Sequence, residues 1–310
     1  MPVFCIPVLK QAIAVVGSFF YTLFHLDRET VVLCNGLTLS VSQGARAAAR
    51  LRGRPCAAFV TDVPEVLGQG RAMAEATRQL ARYDGYVLLT ARMNERVNPR
   101  KKPFLIVEGQ VDEGMGRTQN TLSGKYPEKV CLYAGMLYRL YGVDKLVRAF
   151  LRVTDPEARL FLYGTGDAEE DIRAAMARDN RIRLMGLAGN ETVVAAEVRS
   201  TLLINPRPTE GAYAAYSFPS KNLEYMASGT PVLTTCLAGI PEEYEAYTYL
   251  FRDESEEGMA RTLSQVLSLS RETLHEKGEA AKAFVLGEKT NTRQAGRILA
   301  FMKGLDVHGK

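Results

Sequence analysis

Residues 204–239 read INPRPTEGAYAAYSFPSKNLEYMASGTPVLTTCLAG. An apolar run ends at Ile204 and turns at Asn205-Pro206-Arg207. A loop of small and aromatic residues follows, and Ser217-Phe218-Pro219-Ser220-Lys221 opens a helix that closes before Gly229. A second apolar run begins at Pro231, so the pattern is strand, helix, strand, the unit from which parallel α/β sheets are built. Ser220 at or near the cap, the cation of Lys221 and the free amides of the first helical turn form a pocket suited to a diphosphate. Glu224, one turn further on, places a carboxylate where it can accept two hydrogen bonds from a ribose. Taken singly, Lys221 reads as a solvated surface lysine and Glu224 as a surface ion-pair partner.

Outward from this stretch the same alternation continues. Residues 129–134 (KVCLYA), 158–163 (ARLFLY), 182–185, 201–204 and 231–234 read as strands. Between them, 142–153, 169–178 and 192–199 read as helices, and three more helices follow at 257–269, 270–286 and 292–302. Upstream, strands at 30–33, 55–61, 85–90 and 103–108 alternate with helices at 40–52 and 70–82. The segment 112–125 (DEGMGRTQNTLSGK) is rich in glycine and polar residues and reads as the linker. Two α/β domains in series are expected, residues 1–122 and 123–310, with the last helix free to pack back on the first domain. Ligands of such sheets bind outside the carboxyl ends of the parallel strands.

Several strands of the second half end in glycine: Gly135, then Gly164 and Gly166, then Gly186. Glycine there admits backbone amides to a phosphorylated ligand, and it also satisfies the steric needs of a tight strand-to-helix turn. The run Gly164-Thr165-Gly166-Asp167-Ala168-Glu169 supplies only part of a dinucleotide fingerprint, and no GxxxxGK[ST] loop occurs, so nicotinamide and P-loop chemistry are unsupported.

These blocks resemble the donor domain of the family 4 retaining glycosyltransferases of GT-B architecture, two facing Rossmann-like doubly wound domains. The resemblance rests on YAGMLYRLYGVDKLVRAF (133–150), LFLYGTGD (160–167), RIRLMG (181–186), INPRP (204–208) and YSFPSKNLEYMASGTPVL (216–233), over roughly the last 60% of the chain. It is nearest to the SFPSK-x-x-EYMASG branch found in capsule, O-antigen and exopolysaccharide clusters. The resemblance implies sugar transfer from a nucleotide-diphosphate sugar to a lipid-linked or oligosaccharide acceptor, without a separate cofactor or metal. It implies that Glu224 holds the nucleotide ribose. The first Glu of the family's E-x7-E motif falls on Tyr216, so contacts to the donor sugar are expected from Ser217, Phe218 and Ser220 or from elsewhere. The family's basic pair is reduced to Arg139, and Arg207 and Lys221 are the expected substitutes. Preorganised cations of this kind stabilise charge developing on a leaving phosphate. In the family the acceptor attacks on the same face as the leaving phosphate, which serves as base. Asp62, after the strand CAAFVT, is the candidate for orienting the acceptor hydroxyl, and an Asx turn before Pro64 explains it equally well.

The remaining composition agrees with this reading. The 310 residues are 46% hydrophobic and 24% charged with a net charge of +4, spread without a basic tract, so nucleic acid is not indicated. Five scattered cysteines, Cys5, Cys34, Cys56, Cys131 and Cys236, fit reduced thiols in the cytoplasm rather than a disulfide scaffold or zinc module. The three histidines, His25, His275 and His308, assemble no catalytic triad. Residues 1–26 are strongly apolar, yet the charge-free run 11–26 is shorter than the ~20 residues a spanning helix needs. A helix buried in the domain core, carrying His25 as a core or interface residue, is expected; peripheral contact with the inner membrane face is the alternative. The first domain lacks the strand and glycine-rich loop with which such acceptor domains begin. The expectation is therefore an incomplete acceptor domain, and a nucleotide-sugar-binding protein with impaired catalysis is the second reading.

Overall fold

The computed structural model describes residues 7–27, 30–64, 70–211 and 214–307. Cys5 and His308, considered above, lie outside them. The chain divides into two compact units: one of residues up to Glu108 together with Tyr216–Phe218 and the segment from Thr292 on, the other of Gly109–Ala215 and Pro219–Asn291.

In the first unit, helices α1 (Pro7–His25), α2 (Leu39–Leu51), α3 (Arg71–Leu80) and α4 (Ala91–Val97) accompany strands β1 (Val32–Asn35), β2 (Cys56–Val60), β3 (Gly85–Leu88) and β4 (Phe104–Ile106). The strands pair in parallel in the order β1-β2-β3-β4. β3 is buried at every position, as expected of a parallel strand covered on both faces. The sequence shows no regular helix at α4, yet one turn pair forms there because the Thr90 hydroxyl accepts the Met93 amide, capping it. The apolar amino-terminal helix is not the buried core helix expected. Its inner face meets α2, where the absence of a side chain at Gly44 lets the Val15 carbonyl approach to 2.1 Å of where a Cβ would stand. Leu9, Ile13, Val16, Phe20 and Phe24, spaced by three or four residues, form a second apolar face that is exposed, Phe24 by 75%. His25 is also exposed, its ring bonded to the Tyr21 carbonyl oxygen at 2.7 Å. No helix of the described residues is long and apolar enough to cross a membrane.

The second unit holds a six-stranded parallel sheet. Its strands are β5 (Lys129–Ala134), β6 (Ala158–Tyr163), β7 (Ile182–Gly186), β8 (Leu202–Asn205), β9 (Val232–Thr235) and β10 (Thr248–Phe251), in the order β10-β9-β8-β5-β6-β7. β8 and β9 are buried at every position. β10, absent from the sequence reading, pairs in parallel with β9. Around the sheet lie α5 (Val143–Phe150), α6 (Glu169–Met176), α7 (Asn190–Arg199), α8 (Ser220–Ala227), α9 (Glu256–Leu267) and α10 (Arg271–Glu288). α5 buries Val143, Leu146, Val147 and Phe150, a helical spacing that puts one stripe on the sheet. Ser255 and Ser270 cap α9 and α10 by accepting the amides of Gly258 and Thr273.

The chain passes from the first unit to the second at Glu108–Gly109, not within 112–125. The latter segment forms two 3-10 turns tied to the second unit. Asn120 donates to the Ser228 carbonyl and the Thr230 hydroxyl, and Lys125 donates to the Ser200 carbonyl. The last helix, α11 (Asn291–Val307), places Met302 and Leu305 against Ala57 of β2, so it is part of the first unit.

Candidate functional site

Strand order places a topological switch at the centre of the larger sheet. From β5 the chain moves outward through β6 and β7, then returns to the opposite side of β5 as β8 and continues to β9 and β10. The carboxyl ends of β5 and β8 therefore diverge into loops on opposite sides, which opens a crevice of the kind where α/β sheets bind ligands. Arg207 follows β8 directly. Its guanidinium lies over the Tyr141 ring, 5.1 Å from the centroid, in the loop after β5. No ion pair holds Arg207 among the described residues. Arg139, in the same loop as Tyr141, is already committed: its guanidinium bonds Asp171 at 2.8 Å and its amide donates to Asp167.

Helix α8 is held above the switch point by the face it turns inward. Asn222 and Tyr225, three residues apart, are both buried. The Tyr225 hydroxyl accepts the Ala134 amide at 2.7 Å and donates to the Ala134 carbonyl at 3.1 Å, fixing the helix to the end of β5. Asn205, the last residue of β8, donates to the Asn222 side chain at 2.7 Å, and Asn222 donates to Thr234 of β9. Lys221 and Glu224, also three apart, occupy the outward face and pair with one another at 2.9 Å. The two groups expected to meet diphosphate and ribose are thus adjacent. Neither Asn222 nor Tyr225 stood out in the sequence, because both lie in the same helical motif and read as filler; their three-residue spacing, one residue out of phase with the Lys221–Glu224 pair, was the available signal. Tyr225→Phe is expected to lower the unfolding free energy by about 1–3 kcal/mol, since it strands a buried amide, and denaturant titration would read it.

The other expected site residues fall as follows. Ser220 is not the cap of α8: Pro219 holds that position, without a side-chain bond, and Ser220 is the exposed first residue of the helix. Ser217 and Phe218 belong to the first unit with Tyr216, whose carbonyl accepts the Thr90 hydroxyl at 3.3 Å, while Lys221 and Glu224 belong to the second. Asp62 is an exposed residue of the first unit, after β2. Gly135, Gly164 and Gly166 follow β5 and β6, and all three lie where those two strand-end loops interlock. A Cβ on Gly164 would stand 1.8 Å from the Gly135 carbonyl oxygen, and one on Gly166 would stand 2.3 Å from that of Leu137. The Leu137 amide donates to the Thr165 carbonyl across the same junction. Close packing of two loops therefore accounts for Gly164 and Gly166.

A cavity of about 160 Å³ adjoins the outer face of α8. Lys221 and Glu224 border it, with Asn190, Val193, Val194 and Glu197 of α7 and residues of the 110–115 segment. Glu197 is only 3% exposed, and no hydrogen bond to its carboxyl is formed by the described residues. Burial pushes the carboxyl up to about 7, with Lys221 pulling it down and Glu224 pushing it up. In the unfolded chain it ionises near 4.5. The native state thus holds this proton more tightly, and Glu197 favours folding least above pH 7 and not adversely below 4.5. The stability of Glu197→Gln relative to the natural chain is therefore expected to rise between pH 4.5 and 7, by on the order of 3 kcal/mol, and to level off above; thermal melts across that range would show it.

Residues 128–269, just under half of the chain and all six strands of the larger sheet, match the family model for glycosyl transferases group 1. A curated relative, the phosphatidylinositol N-acetylglucosaminyltransferase gpi3 subunit of Schizosaccharomyces pombe, is 26% identical over 151 residues, 45% of this chain and 32% of the relative. The chain thus spans about a third of the length of the curated relative it matches. Among solved structures, Anabaena HepE in complex with UDP superposes with a TM-score of 0.68 at 13% identity, covering 85% of this chain and 77% of that one. A glycosyltransferase from Rickettsia africae gives 0.73 at 12% identity, covering 98% and 83%. Sucrose-phosphate synthase from Thermosynechococcus elongatus gives 0.65 at 15%, covering 89% and 74%. The fold is α/β of the GT-B kind, with two Rossmann-like units.

Proposed function

We propose that the protein is a retaining glycosyltransferase that takes a sugar from a nucleotide-diphosphate donor and passes it to a lipid-linked or oligosaccharide acceptor in cell-surface polysaccharide synthesis. One observation carries this reading: Arg207 stands at the switch point of the larger sheet, beside a helix whose Lys221 and Glu224 face outward and whose inner face is locked to β5, β8 and β9. The group 1 match over the same residues and the UDP-bound structural neighbour support it.

In the proposed step the acceptor oxygen bonds to the anomeric carbon, the bond from that carbon to the diphosphate oxygen breaks, and the acceptor proton passes to the departing phosphate. Negative charge grows on the diphosphate. Arg207, which has no carboxylate partner among the described residues, and Lys221 stabilise it, together with the amides at the start of α8. Arg139 contributes less, because Asp171 already compensates its charge. Glu224 holds the ribose, exchanging its bond with Lys221 for bonds from two hydroxyls as the ammonium turns to the phosphates. Asp62 and the acceptor remain on the first unit. The exposed apolar face of α1, with exposed Lys10 on α1, Arg50 on α2 and Arg52 just beyond it, supports a cytoplasmic enzyme in peripheral contact with an anionic membrane face.

The test is incubation with UDP- and GDP-sugars, reading released nucleoside diphosphate and the anomeric configuration of any product. Release with retained configuration supports the proposal, and inversion rejects the retaining step. Tyr216 in place of an acidic residue favours the second reading, a nucleotide-sugar-binding protein with impaired catalysis; nucleotide binding without any sugar transfer or donor hydrolysis would establish it.

A further inference from the structure

We propose that the cavity beside Glu224 receives the base of the donor nucleotide and that Glu197 on its wall selects guanine. The inference rests on the assignment of Glu224 to the donor ribose made above. A base lies one glycosidic bond from its ribose, so it must occupy space adjoining Glu224, and the 160 Å³ cavity is that space. Val193, Val194 and Met115 supply apolar surface for the faces of a flat ring, while Asn190 and Gln110 supply amides for its edges.

Glu197 decides which edge is accepted. Glu197 lines the cavity, is 3% exposed, and has no hydrogen bond to its carboxyl from any described residue. A carboxyl placed like this on a cavity wall is open to hydrogen bonds from a ligand that enters the cavity. An ionised carboxylate only accepts, and its two oxygens match two adjacent donors. Guanine presents such a pair, the ring N1–H and the exocyclic amine. Uracil presents a single N–H between two carbonyl oxygens, which a carboxylate repels; only the protonated acid suits it. The charged and titratable groups around Glu197 are Lys221 and Glu224 of α8, Asp112 of the 110–115 segment, and Tyr225, buried on the inner side of α8. Burial and then the Glu224 carboxylate oppose the ionised form while Lys221 favours it, so the carboxyl is balanced between its forms near neutrality. Guanine shifts that balance by releasing a proton, and uracil shifts it the other way.

Calorimetric titration of GDP and UDP at pH 6 and pH 8 tests this. The ratio of the two affinities is the quantity to read, because titration of the phosphates is common to both. The ratio is expected to favour GDP by about tenfold or more at pH 8, where a two-donor pair discriminates most. It should fall by about tenfold at pH 6, where Glu197 is largely protonated. Glu197→Gln should remove the pH dependence and weaken GDP by about tenfold while sparing UDP. Preference for UDP at pH 8, abolished by Glu224→Ala but unmoved by Glu197→Gln, would overturn the guanine assignment and leave the donor site standing. Failure of both nucleotides to bind would remove the donor site and this inference together. If Glu197→Gln does not fold, the ratio in the natural chain decides alone: an unchanged ratio between pH 6 and 8 overturns the proposal.

Discussion

Arg207→Ala is expected to lower kcat for sugar transfer by about 10²–10³-fold, with a much smaller change in KM for the donor. Charge appears on the diphosphate only as the sugar departs, so a cation fixed beforehand beside it acts mainly on the transition state. Arg207 is suited to this because its position is set by neutral contacts, the Tyr141 ring and its own carbonyl, which accepts the Thr235 hydroxyl at 2.5 Å. Its charge is not consumed by a carboxylate, unlike that of Arg139. Arg139→Ala should accordingly reduce kcat far less, and steady-state kinetics of the two variants side by side would show the difference. Equal losses would mean that Asp171 does not quench Arg139 as argued.

Gly164→Ala should destabilise the second unit by on the order of 4 kcal/mol, enough to lower its melting temperature by roughly 10 °C. Two effects add at this position. The backbone adopts φ +129°, which side-chain-bearing residues rarely do, and the new Cβ would overlap the Gly135 carbonyl oxygen. Relief would require the loops after β5 and β6 to separate, breaking the bond from the Leu137 amide to Thr165 as well. Those loops border the switch point, so nucleotide affinity should fall with stability. A melt unchanged within 1–2 °C of the natural chain would show that the loops yield more cheaply than their packing implies.

Much of the larger sheet was legible because parallel strands covered on both faces must be continuous apolar runs, and KVCLYA, ARLFLY and PVLT are such runs. β10 was not: TYLF follows the acidic stretch EEYEAY, and only its pairing with β9 makes it a strand. The helix α4 was also hidden, being seven residues of mixed polarity whose signal is one capping threonine. The segment 112–125 has the composition of a linker, and long-range bonds from Asn120 and Lys125 to residues 75 or more positions away turn it into part of the second unit. In the candidate site, Lys221, Glu224 and Arg207 could be named from local pattern. The compensation of Arg139 could not, since Asp171 lies 32 residues further on. Glu197 was equally invisible, because a glutamate in a helix that follows a glycine-bearing loop reads as a solvated surface residue until the packing of α7 against its neighbours buries it.

A nucleoside diphosphate is expected to bind along α8. Calorimetric titration of UDP and GDP into the natural chain and into Glu224→Ala is the measurement that bears on it most directly. One of the two nucleotides should bind the natural chain at a single site, and Glu224→Ala should weaken that binding by about tenfold or more, as expected when a pair of hydrogen bonds to a charged group is lost. Binding of neither nucleotide, or equal binding by the two chains, would contradict it.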